Sequence, residues 1–343
     1  MHILIFRTSE MGDVALTVPI IRGITKAYPD INITLVTRRH YASFFSGISQ
    51  IRLFYPETTK RHKGLIGIYR LYQDLKSIGE YDYIFDLQDN FETKLLTFLF
   101  KRHNIKCFTI EEQKDKEQIT VEKTDKKPLK HTTERYRDVF KKANIIFEPE
   151  KKYCFMPDDD TLIKVTNFFL FGEESLNIGI APYAIHPLKT WPEEYMIQLM
   201  HYINSRQRTK FWLFGSYEES EKLRAFNEKF PEAFLVAGQL HLHDELAIMG
   251  RLDFMISMDS SNMHMASLSG TKVISIWGST DPIAGFSPWQ QPDEYSIRIP
   301  IEQMPCRPCT INGKGKCKRG DFACMRELTP EMVYEHLIHC NLI

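Results

Sequence analysis

Short apolar segments alternate with amphipathic segments of helical period through the second half of the chain, and this alternation restricts the fold more than any other feature. The apolar segments include NIGIAPYA, KFWLFGS, AFLVAG, FMISMD and KVISIWGS. Between them, helices are predicted in EEYMIQLMHYINSR, EESEKLRAFNEKF, HDELAIMGRL and NMHMASLSG, and a last helix in TPEMVYEHLIHC. Strands separated by helices at this spacing are typical of a parallel, doubly wound sheet.

The first half shows the same alternation less regularly. HILIF, NITLVT and YDYIFDLQ predict buried strands, and helices are predicted near Val14–Tyr28, from Arg39, and in NFETKLLTFLFK and TTERYRDVFKKAN. The charged segment EEQKDKEQITVEKTDKKPLKH predicts an exposed, mobile stretch. The proline-punctuated FEPEKKYCFMPDDD marks a boundary, so we predict two α/β domains, residues 1–157 and 158–343. The last helix is a candidate to pack back on the first domain.

Net charge differs between these halves although the whole chain is neutral, with 44 basic and 44 acidic residues. Residues 1–157 carry 27 Lys and Arg against 20 Asp and Glu, a net charge of +7. Residues 158–343 carry 17 against 24, a net charge of −7. Neutrality disfavours a nucleic-acid binder. The asymmetry indicates either an anionic partner for the first domain or an imbalance among solvated side chains.

Targeting signals and cysteines limit the cell compartment. No apolar run approaches the roughly 18–20 residues that cross a bilayer, and MHILIFRTSE is too short for a secretory leader. We therefore expect a cytoplasmic protein whose seven cysteines begin as reduced thiols. Four of them, in CRPCTINGKGKCKRGDFAC, have a spacing that permits either a structural zinc or free thiols: Cys306, Cys309, Cys317 and Cys324. No catalytic metal is expected.

Several common catalytic and nucleotide-binding motifs are missing from the sequence. No strand is followed by G-x-G-x-x-G, and no P-loop G-x-x-x-x-G-K-[ST] occurs. The nucleophile elbow G-x-S-x-G and the zinc pair H-E-x-x-H are also missing. A nicotinamide dehydrogenase and a P-loop phosphotransferase are therefore disfavoured.

Three loops at strand ends in the second half carry residues that suit a diphosphate. Lys189 in LKTWP offers a positive charge for a phosphate. Ser260 and Ser261 in DSSNMHMA lie at a predicted helix N-terminus, where the helix dipole favours an anion. His264 follows one turn later, either as a ligand contact or as a core histidine. Glu218 in FGSYEE is either a ribose ligand or a helix cap.

The turn after the first predicted strand carries a carboxylate. In RTSEMGDVALTVP, Asp13 stands where a phosphate-binding turn would have glycines and exposed backbone N–H groups. Two roles suit a carboxylate at this point: a helix N-cap, or the base that removes a proton from a substrate hydroxyl.

Four segments carry a resemblance to a known family: RTSEMGDVALTVP, YDYIFDLQDN, LKTWP and DSSNMHMASLSGTKVISIWGSTDP. In order and rough spacing the sequence resembles glycosyltransferase family 9, the bacterial ADP-heptose:lipopolysaccharide heptosyltransferases. The resemblance extends from Met1 to about Pro330 and is weakest between Lys101 and Lys152. It implies the GT-B architecture, two Rossmann-like domains facing a cleft, and an inverting transfer that needs no metal.

The resemblance also implies roles for individual residues. Asp13 matches the carboxylate of the family's S-x-x-G-D turn, the general base. Lys189 matches the lysine of its K-x-W-P motif, which holds the donor phosphate. Ser261 stands where the family usually has glycine and adds a Cβ beside the diphosphate. Three residues match the family's D-[ST]-G-x-x-H motif in the donor site: Asp259, Ser260 and His264.

The function implied is transfer of heptose, or a related sugar, from an ADP-sugar to a lipopolysaccharide inner-core acceptor. An anionic, lipid-linked acceptor fits the positive first half and a transient association with the inner face of the inner membrane. Candidate acceptor contacts are Arg61, Lys63, Arg135 and either Asp86 or Asp89, one of which is expected to cap a turn. Three alternatives remain: another nucleotide-sugar donor, a nucleotide-sugar epimerase of the same fold, and a non-catalytic nucleotide- or glycan-binding module.

Overall fold

A computed structural model describes residues 1–111, 119–120, 126–169 and 175–343, without the side chains of residues 167–169. The chain divides into two compact units, the first Met1–Glu112 with Thr132–Phe155 and the second Gln113–His131 with Met156–Ile343. The break at Phe155 lies in the predicted boundary segment. Most of the segment predicted to be mobile lies outside the described residues.

The longest described part of that segment, residues 126–131, belongs to the second unit, whereas the sequence predicted it in the first domain. The backbone N–H of Leu129 donates to the carbonyl of Ile283 at 2.7 Å. Lys126 Nζ donates to the carbonyl of Pro305 at 3.3 Å. Residues 126–131 are exposed or half-buried, as their charge composition predicted, and these hydrogen bonds anchor them to the surface of the second unit.

The first unit contains a parallel five-stranded sheet in the order β3-β2-β1-β4-β5. Its strands are β1 His2–Phe6, β2 Asn32–Val36, β3 Ile51–Phe54, β4 Tyr83–Asp86 and β5 Lys106–Thr109. Its helices are α1 Met11–Ala15, α2 Val18–Ala27, α3 Gly64–Ile78, α4 Phe91–Lys101 and α5 Thr132–Lys141. The helix predicted near Val14–Tyr28 is thus two helices, because Pro19 fits only the first turn of a helix. The helical stretch predicted from Arg39 is a 3₁₀ helix, Arg39–Phe45.

The second unit contains a parallel six-stranded sheet in the order β11-β10-β9-β6-β7-β8. Its strands are β6 Leu176–Ala181, β7 Thr209–Leu213, β8 Phe234–Leu235, β9 Phe254–Met258, β10 Lys272–Ile276 and β11 Ser296–Ile297. Its helices are α6 Asp159–Phe169, α7 Glu193–Asn204, α8 Ser220–Lys229, α9 Leu242–Met249, α10 Ser261–Leu268, α11 Ala323–Arg326 and α12 Pro330–His339. The strands and helices predicted for this half are confirmed, and with both sheets the prediction of two Rossmann-like α/β units is confirmed.

The last helix, α12, packs against α7 in the second unit, and its packing on the first domain stays a prediction. Val333 and Leu337 are fully buried in the same core as Leu199 of α7. At the surface of this contact, Gln198 Nε2 donates to Glu331 Oε1 at 3.2 Å. Part of the apolar surface of α12 is therefore buried in its own unit, whereas Met332 and Ile338 remain exposed.

In each sheet the strand order reverses beside the first strand of the unit, between β1 and β4 and between β6 and β9. In open parallel sheets, ligands bind at the carboxyl ends of strands next to such a reversal. Asp13 follows β1, Lys189 follows β6 and Asp259 follows β9. Three candidate site residues thus flank the reversals. No helix in the described part of the chain is long and apolar enough to cross a membrane.

Candidate active-site residues

Asp13 lies at the carboxyl-end edge of the first sheet, as the third residue of α1. The N-cap position of this helix is occupied by Glu10, so the helix-cap role considered for Asp13 is wrong. Asp13 Oδ2 lies 2.5 Å from Nη2 of Arg7, the residue directly after β1. The carboxylate is the more exposed partner, with 23% of its side chain accessible against 11% for Arg7. The ion pair orients the carboxylate and leaves part of it accessible to a substrate.

Arg7 is itself fixed by several neighbours. Its Nη1 donates to the carbonyl of Leu87 at 2.6 Å, and its guanidinium lies 5.7 Å from the centroid of the Tyr136 ring. The Tyr136 hydroxyl donates to the backbone oxygen of Asp13 at 3.4 Å. Burial lowers the pKa of Arg7, but Tyr136 and Asp13 more than offset this effect, and the net pKa is raised. Arg7 is therefore a permanent cation beside Asp13.

Asp86, the last residue of β4, closes the turn that follows. Its Oδ1 accepts from the backbone N–H groups of Gln88 at 2.9 Å and Asp89 at 3.0 Å. Burial raises the pKa of Asp86, and these hydrogen bonds partly oppose the rise. Gln88 Oε1 accepts from the N–H of Thr8 at 2.9 Å, which ties this turn to the one after β1. Asp86 is thus the structural carboxylate of the pair, and Asp89 stays the candidate acceptor contact.

The basic residues predicted to bind the acceptor lie in two places in the first unit. Arg61, before α3, forms a bidentate pair with Asp74, at 2.8 Å and 2.6 Å. Hydrogen bonding by Arg61 holds the pKa of Asp74 well below its ordinary value. Lys63 is exposed at the N-cap position of α3. Arg135, in α5, donates through Nη2 to the carbonyl of Glu111 at 2.7 Å. Acceptor binding by these residues stays a prediction.

In the second unit, Lys189, Asp259 and Thr280 meet where three neighbouring strands end. They follow β6, β9 and β10, respectively. Lys189 Nζ lies 3.2 Å from Asp259 Oδ2, which also accepts from Thr280 Oγ1 at 2.8 Å. The side chains of Lys189 and Asp259 are only 12% and 10% exposed. The pair holds an ammonium group in a fixed position at the edge where a phosphate is expected.

The N-terminus of α10 lies at the same edge. Ser260 is its N-cap residue and Ser261 its first helical residue, so Ser261 has an ordinary helical backbone that does not require glycine. His264, one turn on, is buried, and its Nδ1 has no hydrogen-bond partner among the residues described. Burial, with smaller contributions from His131 and Lys189, lowers the pKa of His264 to about 3. Because buried polar atoms are usually satisfied, the unpartnered nitrogen favours the ligand contact over the core histidine.

Glu218 lies in the 3₁₀ turn Tyr217–Glu219 that follows β7. The capping role considered for Glu218 is performed by its neighbour Glu219, whose Oε2 accepts from the N–H of Ser216 at 2.7 Å. The Ser216 side chain completes the capping box. Glu218 itself is exposed at the carboxyl end of β7, and ribose binding by it stays a prediction.

A cysteine-rich segment, residues 305–324, packs against the loop that carries Lys189. The N–H of Cys309 donates to the carbonyl of Ser279 at 3.0 Å, and Ser279 Oγ donates to the carbonyl of Leu188 at 2.8 Å. Gly313 has a φ of 81°, and a Cβ there would lie 2.5 Å from Cγ of Lys189. Only glycine allows this approach to the lysine stem.

Arg307, from the same segment, holds the turn that contains Thr280. Its buried guanidinium donates to the carbonyl oxygens of Gly278 at 2.6 Å, Trp277 at 3.1 Å and Thr280 at 3.2 Å. It also lies 3.4 Å from Asp281 Oδ2. Arg307 therefore fixes the turn whose Thr280 donates to Asp259.

The four cysteines of this segment line one cavity of about 20 Å³. They are free thiols, and burial raises the pKa of Cys324 to about 12, which opposes formation of the thiolate that a metal requires. Within the four described ranges, no group of three His, Cys, Asp or Glu side chains could hold a metal ion. The described residues therefore give no support to the structural zinc that the spacing of these cysteines permits, and free thiols stay the alternative.

Sequence reasoning missed the partners that orient the candidate residues. Arg7, Gln88 and Thr280 all lie within or beside the motifs RTSEMGDVALTVP, YDYIFDLQDN and GSTDP. Their position in those motifs was the only available signal: Gln88 and Thr280 contact residues that follow other strands, whereas Arg7 pairs with Asp13 after the same strand. Arg307 carried no signal apart from its place between two cysteines.

Comparison with known proteins identifies the family of this chain. The family model described as glycosyltransferase family 9 (heptosyltransferase) matches residues 68–314. Lipooligosaccharide heptosyltransferase 2 of Campylobacter jejuni is 20% identical over 341 residues, which cover 98% of this chain and 97% of that protein. Lipopolysaccharide heptosyltransferase 1 of Escherichia coli K12 is 24% identical over 325 residues, which cover 89% and 95%.

Solved structures share the fold over nearly the whole chain. A family 9 glycosyl transferase from Veillonella parvula superposes with a TM-score of 0.74 at 18% identity, covering 99% of this chain and 97% of that one. The E. coli ADP-heptose LPS heptosyltransferase II superposes with a TM-score of 0.69 at 17% identity, covering 99% and 98%. Because the family model spans well over half of the sequence, the chain belongs to glycosyltransferase family 9, the heptosyltransferases.

Proposed function

We propose that the protein is an inverting glycosyltransferase that moves heptose, or a related sugar, from an ADP-sugar to a lipopolysaccharide inner-core acceptor. One observation carries the proposal. An oriented, partly exposed carboxylate, Asp13, lies at the strand reversal of one unit, and the ammonium group of Lys189, paired with Asp259, lies at the reversal of the other. The first arrangement suits an acceptor hydroxyl and the second a nucleoside diphosphate.

The chemistry follows from these two groups. The acceptor hydroxyl oxygen attacks the anomeric carbon of the donor sugar as its proton passes to the Asp13 carboxylate. The bond from that carbon to the diphosphate oxygen breaks, and the nucleoside diphosphate leaves with the electron pair. Lys189 and the N-terminus of α10 stabilise the charge that develops on the leaving group. Attack from the face opposite the diphosphate inverts the anomeric centre.

The choice of donor and acceptor is supported by the relatives. The E. coli heptosyltransferase WaaC has been solved with ADP, and it superposes on this chain with a TM-score of 0.64 at 18% identity. The net charge of +7 over residues 1–157 suits an anionic, lipid-linked acceptor. In the proposal the protein is cytoplasmic, acts at the inner face of the inner membrane and needs no metal for catalysis. Arg61, Lys63, Asp89 and Arg135 are its acceptor contacts.

Three assays separate this function from its alternatives. ADP-, UDP- and GDP-sugars are compared for release of nucleoside diphosphate with and without a deacylated lipopolysaccharide core acceptor. The proposal expects release from the ADP-sugar that depends on the acceptor, and an inverted linkage by NMR. An epimerase would convert the donor sugar with no acceptor present. A non-catalytic module would show a rise in melting temperature with ligand but no release, and either result would overturn the proposal.

A further inference from the structure

Three large apolar side chains are exposed at the beginning of two neighbouring helices of the first unit. Leu65 and Ile66, in the first turn of α3, are 63% and 72% exposed, and Phe91, the first residue of α4, is 65% exposed. Large apolar side chains that lie together on a surface usually mark an interaction site.

The two helices run side by side, so these side chains lie at the same end. Tyr72 of α3 and Phe100 of α4 share one core cluster, and their ring centroids lie 4.8 Å apart. Tyr72 lies eight residues after the start of α3, and Phe100 lies nine residues after the start of α4. The contact therefore joins points at similar distances from the two helix N-termini. Leu65, Ile66 and Phe91 are called the apolar tip below.

Basic side chains flank the α3 side of the apolar tip, where Arg61 is paired with Asp74, and the exposed acid Glu92 follows Phe91 on the α4 side. Residues 57–70 contain four basic side chains against the single acid Glu57, and all four are exposed: Lys60, Arg61, Lys63 and Arg70. Apolar side chains flanked by Lys and Arg match the boundary of a membrane that contains anionic lipids. The apolar groups enter the acyl region, and the basic groups meet the headgroups.

The apolar tip also lies at the carboxyl-end edge of the first sheet, because α3 follows β3 and α4 follows β4. Asp13 and Asp89 lie at this same edge, after β1 and β4. We propose that the apolar tip and its basic rim dock the protein on an anionic lipid surface. Docking there brings the acceptor-binding edge to the plane from which a lipid-linked acceptor projects. Only this last step rests on the proposed function.

The docking is measured by sedimentation with vesicles of phosphatidylcholine alone and of phosphatidylcholine with phosphatidylglycerol. The protein is expected to bind the anionic vesicles and to release severalfold when NaCl is raised from about 0.1 M to 0.5 M. The double variant Leu65→Ser, Ile66→Ser is expected to bind at least tenfold less, because both side chains enter the lipid. Ile146→Ser is the matched control, since Ile146 is 59% exposed in the same unit and lies outside the tip.

Several results would overturn the inference. They are absence of binding by the unmodified protein, equal binding to neutral vesicles, and equal losses in the double variant and in Ile146→Ser. A dimer in sedimentation velocity that the double variant dissociates would assign the tip to a second copy of the chain. Unchanged melting temperatures of the variants show that folding is intact.

A turnover assay keeps this inference separate from the proposed function. The double variant is expected to retain transfer to the deacylated, water-soluble acceptor and to lose at least fivefold with the acceptor embedded in vesicles. Equal turnover of variant and unmodified protein on the embedded acceptor would overturn the docking role. If the unmodified protein uses neither acceptor, the proposed function fails, and vesicle sedimentation still decides the docking.

Discussion

Each unit has an ion pair at its strand reversal, but the two pairs differ in how exposed their partners are. In the first unit the carboxylate of Asp13 is about twice as exposed as its partner Arg7. In the second unit Lys189 and Asp259 are nearly equally buried, and Thr280 also donates to the carboxylate. The first pair exposes a carboxylate to solvent, and the second holds a cation beside a helix N-terminus.

Under the proposed function, this difference suits two sheets of the same architecture to different partners. A hydroxyl that must lose a proton needs an accessible carboxylate, whereas a diphosphate needs an ammonium group and backbone N–H groups without a competing exposed anion. Burial lowers the pKa of His264 at the second edge to about 3, so its imidazole is neutral there and Lys189 supplies the positive charge. Side-chain exposure, rather than the fold, therefore separates the two roles.

Asp13→Asn is expected to give the largest effect, a loss of turnover of roughly 10²–10⁴-fold. Asparagine keeps the size of the side chain but cannot accept the proton. Arg7 retains its contacts with Leu87 and Tyr136, so the fold is expected to survive. The measurements are kcat, donor affinity and melting temperature, with Asp30→Asn as an exposed control in the same unit. Near-normal turnover with intact folding would remove the base assignment and with it the contrast between the edges.

Lys189→Ala is expected to weaken nucleoside diphosphate binding by about 1.5–3 kcal/mol, the range for a charge-assisted contact. Nucleoside without phosphate is expected to bind the variant and the unmodified protein alike. Lys164→Ala is a suitable control, because it removes another Lys–Asp pair of the same unit, at 2.6 Å from Asp244. Calorimetry with both ligands checks this. An equal loss of nucleoside affinity would make Lys189 a structural residue.

The second unit was more predictable from sequence than the first. Its central strands are buried along their length, so continuous apolar runs such as FMISM identify them. In the first unit β3, with sequence IRLF, is only partly buried and contains Arg52. The following α3 begins GLIG, with two glycines that weaken a helical pattern. These elements form through tertiary packing that the local pattern does not report.

The candidate site was predictable in its reacting groups but not in their partners. Asp13 and Lys189 lie in motifs with a clear chemical reading. The contact of Gln88 with Thr8, however, joins residues 80 positions apart and depends on the neighbouring places of β1 and β4 in the sheet. Sequence also failed to distinguish two adjacent glutamates. Either Glu218 or Glu219 suits a helix cap by residue type, and the structure places Glu219 in the capping box.

His264→Gln is expected to reduce the dependence of stability on pH. The folded-state pKa of His264 is lowered from 6.5 to about 3. Between pH 6.5 and about pH 3, the His264 imidazole is therefore mostly protonated in the unfolded chain and mostly neutral in the folded protein. The stability that His264 contributes is fully present above pH 6.5 and falls with pH below it, by at most about 1.4 kcal/mol per unit.

The check is urea unfolding of both proteins between pH 4 and 7.5. The difference in their free energies of unfolding is expected to change across this range in the direction given. If the free energies of unfolding of the two proteins change in parallel with pH, His264 has an ordinary pKa in the folded protein. Its imidazole would then not be held neutral at this edge.

Gly313→Ala is expected to give the smallest effect and tests how the second edge fixes its lysine. The new Cβ would lie 2.5 Å from Cγ and 2.8 Å from Cδ of Lys189, so the side chain must move. Displacement is expected to weaken diphosphate binding by roughly five- to tenfold, the lower part of the about 1–3 kcal/mol that overpacking costs. Gly320→Ala is the matched control, because its φ of 80° matches the 81° of Gly313 while nothing lies within 4 Å of its Cβ. Both variants carry the same backbone strain, and only Gly313→Ala disturbs Lys189.

A double-mutant cycle completes this test. In the Lys189→Ala background the clashing atoms Cγ and Cδ are gone, so Gly313→Ala is expected to cause no further loss of diphosphate affinity. If Lys189→Ala weakens binding but Gly313→Ala matches Gly320→Ala, the lysine binds phosphate without help from the cysteine-rich segment. Equal losses from Gly313→Ala in both backgrounds would show that the glycine acts through another contact. Non-additive losses of diphosphate affinity would show that the cysteine-rich segment acts on the site through Lys189. The base role proposed for Asp13, in the other unit, does not depend on this result.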